Sequence, residues 1–272
     1  MNTIAIPNVT LNNGVSMPIL GLGTYPMHGA ECERTVCEAV RLGYRLFDTA
    51  QMYGNEQELG HALKVCGIPR KELFITTKLH GPSATYEKAK AAIARSLESL
   101  QTDYIDLLLI HEPYSTSLAM YEAMKEAYEA DLIRALGISN FSTSQYLAFI
   151  RSCGVIPAVN QVEAHVFYQK APLQAILHQH GTHMEAWSPF AAGKNQYFAN
   201  PVLQDIGKQY GKTAAQIGLR FLVQRGIIVI PKTVSTDRLR QNIDIFDFSL
   251  SAEDMKKIQT LESGRSLFGW YE

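Results

Sequence analysis

Cysteine is scarce in this chain of 272 residues, and so is any surplus of charge: four cysteines, and 25 Lys+Arg against 26 Asp+Glu for a formal net charge of -1. Cys32, Cys37, Cys66 and Cys153 form no CxxC pair and no dense framework. A fold stapled by disulfides is therefore not expected, and a reducing, intracellular setting follows. Near-neutrality leaves no sequence-wide positive field to attract nucleic acid or an anionic membrane, although a local anion site remains open. No run approaches the ~20 apolar residues of a membrane span, and MNTIAIPNVTLNNGVSMP lacks a basic region ahead of an apolar block. The expectation is a soluble, cytoplasmic protein without nucleic-acid or membrane partners. Disorder is excluded as well, because 46% of the residues are hydrophobic and only 19% charged.

What is present is alternation. Residues 9–17, VTLNNGVSM, place two short apolar arms around Asn13-Gly14, a dipeptide suited to a hairpin turn that needs positive φ. Afterwards short apolar runs alternate with amphipathic stretches. ILGLG precedes a helix near 30–42, RLFD one at 55–65, LFITTK one at 85–100, and YIDLLLIH one at 118–130. ALGISN precedes a helix near 143–152, PAVNQVE one at 171–180, HMEAWS a two-piece helix over 200–224, and IIVIPK one at 236–245. Continuous apolar strands separated by helices imply a parallel sheet covered by helices. Eight such units at this length favour a closed (β/α)₈ TIM barrel over an open sheet. With no Pro- or Ser-rich linker, residues 1–272 read as one domain, an N-terminal β-hairpin in front and an extra C-terminal helix starting at Ser251 in SAEDMKKIQTLE.

The polar residues fall where the apolar runs stop. Asp48, Lys78, His111, Ser139, Asn140, Gln161 and Lys232 all close strand segments, and in a (β/α)₈ barrel those carboxyl ends share one face. Within the set, Asp48, Tyr53, Lys78 and His111 can act together. A free tyrosine titrates near ~10, and an adjacent ammonium favours the phenolate. Lys78 supplies that charge, Asp48 holds the lysine, and a neutral His111 orients a substrate carbonyl through a hydrogen bond. The bland alternative is a structural Asp48–Lys78 salt bridge with Tyr53 packed as a loop aromatic.

Several blocks resemble the aldo-keto reductase family, from the hairpin to about residue 260. They are Asp48-Thr-Ala-Gln-Met-Tyr53-Gly-Asn-Glu, GISNF at 137–141, NQVE at 160–163, and IPKT followed by Arg238. The resemblance implies NADPH-dependent carbonyl reduction by a monomer, with Tyr53 as general acid and Asp48, Lys78 and His111 as its partners. It further implies that Ser139, Asn140 and Gln161 bind the nicotinamide carboxamide, and that Trp187, beside Ser188, stacks on the ring where the family usually has tyrosine. Lys232 and Arg238 would clasp the adenosine 2′-phosphate, with Thr233 and Asn242 as companions on phosphate and adenine. The helix start at Thr236-Asp237 offers free N–H groups to an anion, and arginine's fork fits phosphate oxygens.

Glu112 stands where the family commonly has tryptophan, so a carboxylate would replace one aromatic wall of the substrate pocket. Tyr25, Phe190, Trp270 and Tyr271 are further wall candidates. The compact form is most similar to bacterial members that reduce small dicarbonyls or keto-sugars. Two other functions compete: a non-catalytic nucleotide-sensing subunit of the same fold, and a Schiff-base lyase or isomerase using Lys78. Gly21-Leu-Gly23 lacks the third glycine of a dinucleotide fingerprint. His178, His180 and His183 fall on the face opposite the proposed cleft and read as surface histidines, so no metal is expected.

Overall fold

Strands begin where β-branched and leucine-rich runs must be covered on both faces, and here they pair side by side in sequence order. The computed structural model describes residues 5–270. An antiparallel hairpin, β1 (Asn8–Thr10) and β2 (Ser16–Pro18), comes first. The parallel strands are β3 (Gly21–Gly23), β4 (Leu46–Asp48), β5 (Phe74–Leu79), β6 (Leu107–Ile110), β7 (Leu136–Ser139), β8 (Val159–Glu163), β9 (His183–Trp187) and β10 (Ile228–Val229). Leu20 bridges to Val229, and the Val229 amide donates to the Ile19 carbonyl at 2.9 Å, so the first and last strands meet and the sheet closes into a (β/α)₈ TIM barrel.

The helices between them are α1 (Gly29–Leu42), α2 (Glu56–Val65), α3 (Tyr86–Ser99), α4 (Ser117–Glu129), α5 (Thr143–Ile150), α6 (Ala171–Gln179), α7 (Pro201–Tyr210), α8 (Ala214–Gln224) and α9 (Thr236–Ile243). The expected C-terminal helix is α10 (Ala252–Gln259). Its Ser251 cap accepts from the Asp254 amide, and Asp254 in turn accepts from Tyr210 of α7 at 2.7 Å. None of the described helices is long and apolar enough to cross a membrane.

The hairpin lies across the amino-terminal ends of the strands. Asn12 donates to the carbonyls of Ile156 and Pro157, and Asn13 to that of Arg134, all ahead of β7 and β8. Gly14 takes φ 85° in the turn. Leu11 and Met17 are buried beneath it. His183, one of the three clustered histidines, meets the Thr10 carbonyl at 3.0 Å at this same end, far from the strands' carboxyl termini. The four cysteines are free, and the Cys66 thiol at the end of α2 donates toward Cys37 of α1 at 2.9 Å.

Some strands are shorter than their apolar runs. The run YIDLLLIH becomes strand only from Leu107, because Asp106 is taken up below the barrel by Arg70 and Arg134 at 2.6 and 2.8 Å. Only two residues of IIVIPK form β10, since Pro231 has no amide with which to continue a ladder.

Within the barrel, Gly137 marks a place where a side chain would not fit. A Cβ there would stand 2.4 Å from Leu109 Cδ2 and 2.8 Å from the Val159 carbonyl oxygen. The Gly137→Ala variant should therefore unfold more easily, by roughly 1–3 kcal/mol in a urea titration, and unchanged stability would show that β6 and β8 can move apart at no cost.

Candidate active site

Alternation along each strand decides which side chains reach the barrel axis. Asp48 ends β4 and Lys78 is the fifth residue of β5. Their side chains meet beneath the carboxyl-terminal mouth, with Lys78 Nζ 2.6 Å from Asp48 Oδ1. The ammonium is wholly buried and directs its other bonds to the Thr49 carbonyl at 3.0 Å and Tyr53 Oη at 3.3 Å. Tyr53 comes from the short 3₁₀ turn Gln51–Tyr53 after β4. Asn55, buried just beyond it, fixes that turn by donating to the carbonyls of Thr24 and Met27 and accepting from Thr49 at 2.6 Å. His111 follows β6, its ring 5.7 Å from that of Tyr53 in an edge-on approach.

The electrostatics set one protonation state for each group. Burial pulls the Lys78 ammonium toward neutrality, but Asp48, Tyr53 and Glu185 outweigh it and hold the pKa up at about 12. Burial also raises the Asp48 carboxyl above its ordinary value, opposed by Lys78 and Gln161; the 2.6 Å contact and the high lysine value favour the ion pair. His111 is depressed to about 3 by burial, with Lys78 and His80 adding to the effect. Its imidazole is neutral, as expected from the sequence. Tyr53 departs from expectation: burial raises its pKa above the ordinary value, and Lys78 only partly opposes that. The phenol rests fully protonated, because removing it from water costs the phenolate more than one shared ammonium returns.

Across the mouth, Ser139 of β7 donates to the Gln161 carbonyl at 2.8 Å. Asn140, held at φ 64°, donates to the His111 carbonyl at 3.0 Å and accepts from Trp187 Nε1 at 2.8 Å. That last bond sets the plane of the indole. Gln161 lies mid-strand in β8 rather than at its end. It donates through Nε2 to Asp48 Oδ2 at 2.7 Å and to Glu185 Oε2 at 2.8 Å.

Asp48, Tyr53, His111, Ser139, Asn140, Gln161 and Trp187 line one cleft of about 610 Å³, together with Gly23, Tyr25, Met52, Ser188, Phe190, Lys232, Phe268 and Trp270, while Lys78 and Glu185 lie beneath it. Glu112 is absent from that lining. It is half-buried, and its carboxylate turns to the Tyr114 hydroxyl and toward His80 instead. Lys232 is exposed at the rim, and Arg238 is exposed in the first turn of α9. That helix starts at Thr236 as the sequence suggests, capped by Ser235, whose hydroxyl accepts from the Arg238 amide. Thr233, just ahead of it, and Asn242, within its last turn, are buried. Tyr271 lies outside the described residues.

Two residues of the site escape sequence reasoning. Glu185 is wholly buried on β9. The signal for it was available, because it stands two positions before Trp187 and so faces the barrel axis with it. Glu163 ends β8 and anchors the carboxyl-terminal tail, accepting from Ser266 Oγ at 2.5 Å and the Leu267 amide at 2.9 Å. The tail thereby lays Phe268 and Trp270 against Trp187, the two indoles stacking at 5.7 Å. Nothing in the local pattern around Glu163 announces that distant partner. Among the described residues no cluster of His, Cys, Asp or Glu is arranged to hold a metal ion.

This fold with this mouth defines a class. Residues 19–263 match the model of the aldo/keto reductase family. The chain is 40% identical over 263 residues to the glyoxal reductase of Bacillus subtilis (strain 168), covering 96% of this chain and 95% of that protein. It is equally identical, over the same length and shares, to the 2,5-diketo-D-gluconic acid reductase B of Corynebacterium sp. (strain SHS752001). The structure of the silkworm aldo-keto reductase AKR2E5 complexed with NADPH superposes with a TM-score of 0.92 at 32% identity, covering 96% of this chain and 89% of that one. The chain belongs to the aldo/keto reductase family.

Glu185 gives the site a pH signature. Burial first, and then the nearby Asp48 carboxylate, raise its pKa from the ordinary 4.5 to about 8, although Gln161 and Lys78 oppose the shift. Between those two values the native state holds a proton that the unfolded chain releases. The resulting stability is complete below the lower value and is lost as pH rises through the upper one. In urea titrations the stability of the native chain relative to Glu185→Gln should fall by roughly 2–4 kcal/mol from pH 5 to pH 8. A difference that stays flat over that range would exclude a protonated Glu185.

Proposed function

We propose that this chain reduces aldehyde and ketone carbonyls to alcohols with NADPH, that Tyr53 supplies the proton, and that small dicarbonyls or keto-sugars are the preferred substrates. The observation that carries this reading is the contact of a protonated Tyr53 with a wholly buried Lys78, opposite a neutral His111, at the base of the cleft that also holds Ser139, Asn140, Gln161 and Trp187.

The residues fit a nicotinamide dinucleotide. Asn140 and Ser139 present polar atoms beside an indole whose plane is set by a hydrogen bond, which suits an aromatic amide. Lys232 and Arg238 stand as exposed cations near the free amides of a capped helix start, which suits a phosphate. NADPH, when bound, supplies a hydride to the carbonyl carbon. The chain orients the carbonyl oxygen between the Tyr53 hydroxyl and the neutral His111 imidazole, and the phenol yields its proton as negative charge builds on that oxygen. Lys78, 3.3 Å from the phenol oxygen, stabilises the phenolate left behind. Asp48 keeps the lysine in place.

Tyr25, Met52, Phe190, Phe268 and Trp270 give the outer cleft an apolar wall. The relatives named as glyoxal and 2,5-diketo-D-gluconic acid reductases support dicarbonyl or keto-sugar substrates. Lys78 argues against the Schiff-base alternative. Its nitrogen is wholly buried, fully hydrogen-bonded and charged, whereas an amine nucleophile needs a free lone pair and a path to the carbonyl. A purely nucleotide-sensing subunit would have no use for a phenol held against an ammonium.

Two substitutions test the reading in an NADPH-consumption assay against glyoxal-type and keto-sugar substrates. Tyr53→Phe should lower kcat by about 10²–10⁴-fold, the contribution of one placed acid, with NADPH affinity nearly unchanged; retained turnover would remove Tyr53 from the proton step. Arg238→Ala should weaken NADPH by about 10-fold, the worth of one charge-assisted contact, and NADH hardly at all. Equal losses for both nucleotides would place the 2′-phosphate elsewhere.

A further inference from the structure

Gln161 has one amide nitrogen with two hydrogens, and both are committed. Nε2 lies 2.7 Å from Asp48 Oδ2 and 2.8 Å from Glu185 Oε2, with Gln161 wedged between two buried acids. The reverse orientation of the amide would press its oxygen against Oδ2 of the Asp48 carboxyl, whose other oxygen accepts from Lys78 at 2.6 Å. Gln161 also lines the cleft. With Nε2 held from below, the atom it can offer upward is the acceptor Oε1.

Beyond its weaker support of the Lys78 charge, Glu185 makes one hydrogen bond. Its Oε2 accepts from Gln161, while its Oε1 is buried with no hydrogen-bonding partner among the described residues. An unsatisfied buried oxygen costs stability. Glu185 sits in register with Gln161 across the β8–β9 ladder, the position from which a side chain can reach its neighbour's amide.

We propose that Glu185 is a positioning residue: together with Asp48 it locks the Gln161 amide with Oε1 toward the cleft, so that Gln161 recognises the NH₂ of the nicotinamide carboxamide as an acceptor. The inference rests on the NADPH reading above. It also couples the two halves of the site, because the amide that meets the cofactor hangs from the same Asp48 carboxylate that holds Lys78. Loss of Glu185 leaves Nε2 with one partner and frees the amide to turn.

The test compares Glu185→Leu and Glu185→Gln with the native chain by calorimetric binding of NADPH and of 2′,5′-ADP, which has the phosphate end but no nicotinamide, alongside thermal unfolding. Glu185→Leu should weaken NADPH by about 10-fold, the cost of one misaligned buried hydrogen bond. It should leave 2′,5′-ADP unchanged and the melting temperature equal or higher. Glu185→Gln, which keeps an oxygen able to accept from Gln161, should bind NADPH within about 3-fold of the native chain.

Unchanged NADPH binding in Glu185→Leu overturns the proposal. Equal weakening of both ligands overturns it too, because the effect would then lie in the fold rather than at the nicotinamide end. So does a Glu185→Gln variant as impaired as Glu185→Leu. A Glu185→Leu variant that binds 2′,5′-ADP normally and NADPH about 10-fold more weakly, with Glu185→Gln close to the native chain, meets the expectation in full. Binding of neither ligand by the native chain is the distinct failure of the cofactor reading itself, and it takes this inference with it.

Discussion

A charged lysine at the centre of a barrel is the constraint on which the site depends. Lys78 is wholly buried and carries three N–H donors, each needing an acceptor, because water is not there to provide one. Asp48 Oδ1, the Thr49 carbonyl and Tyr53 Oη are those acceptors. Satisfying the ammonium thus fixes the end of β4, the path of the chain after it and the seat of the phenol at once. Asp48 then has one oxygen left, and Gln161 of β8 fills it, which brings Glu185 of β9 into the same network. Four strands are tied to one cation.

That network also distributes protons in a way useful for carbonyl chemistry. The site holds a cationic Lys78, a neutral His111 and a protonated Tyr53, and the same burial drives the last two. An acid that rested as phenolate would have nothing to give. In the proposed reaction Lys78 would act on the charge that appears on Tyr53 as the proton leaves, so its influence would fall on the transition state more than on the resting pKa. The two acids Asp48 and Glu185 facing one ammonium give the site an internal negative balance when both ionise, and burial relieves it by keeping Glu185 protonated to about pH 8.

Much of this was legible along the chain. Eight strand–helix units, the hairpin turn at Asn13-Gly14 and the polar residues closing each apolar run follow from two periodicities and a turn dipeptide. Asp48, Tyr53, Lys78 and His111 stood out as chemistry-bearing side chains at strand ends, and they do come together. Glu112 stood out equally, yet the cleft wall omits it, and its carboxylate instead acts on the Tyr114 phenol and the His80 imidazole. Local order gives the place of a residue on the chain but not the direction in which a loop turns it. Glu163 is the converse case, inconspicuous in NQVE until its carboxylate is seen to hold the tail that carries Phe268 and Trp270.

The sequence by itself determined the architecture, the face on which the polar strand ends gather and the phenol, ammonium and imidazole that gather there, because alternation and helical periodicity are local properties summed along the chain. Only the tertiary structure decided the direction of Tyr53's pKa, the saturation of Lys78, the clasp of the tail by Glu163 and the two-acid grip on Gln161. Each of those depends on burial or on contact between strands separated by tens of residues, and desolvation is a property of the enclosing barrel rather than of any segment within it.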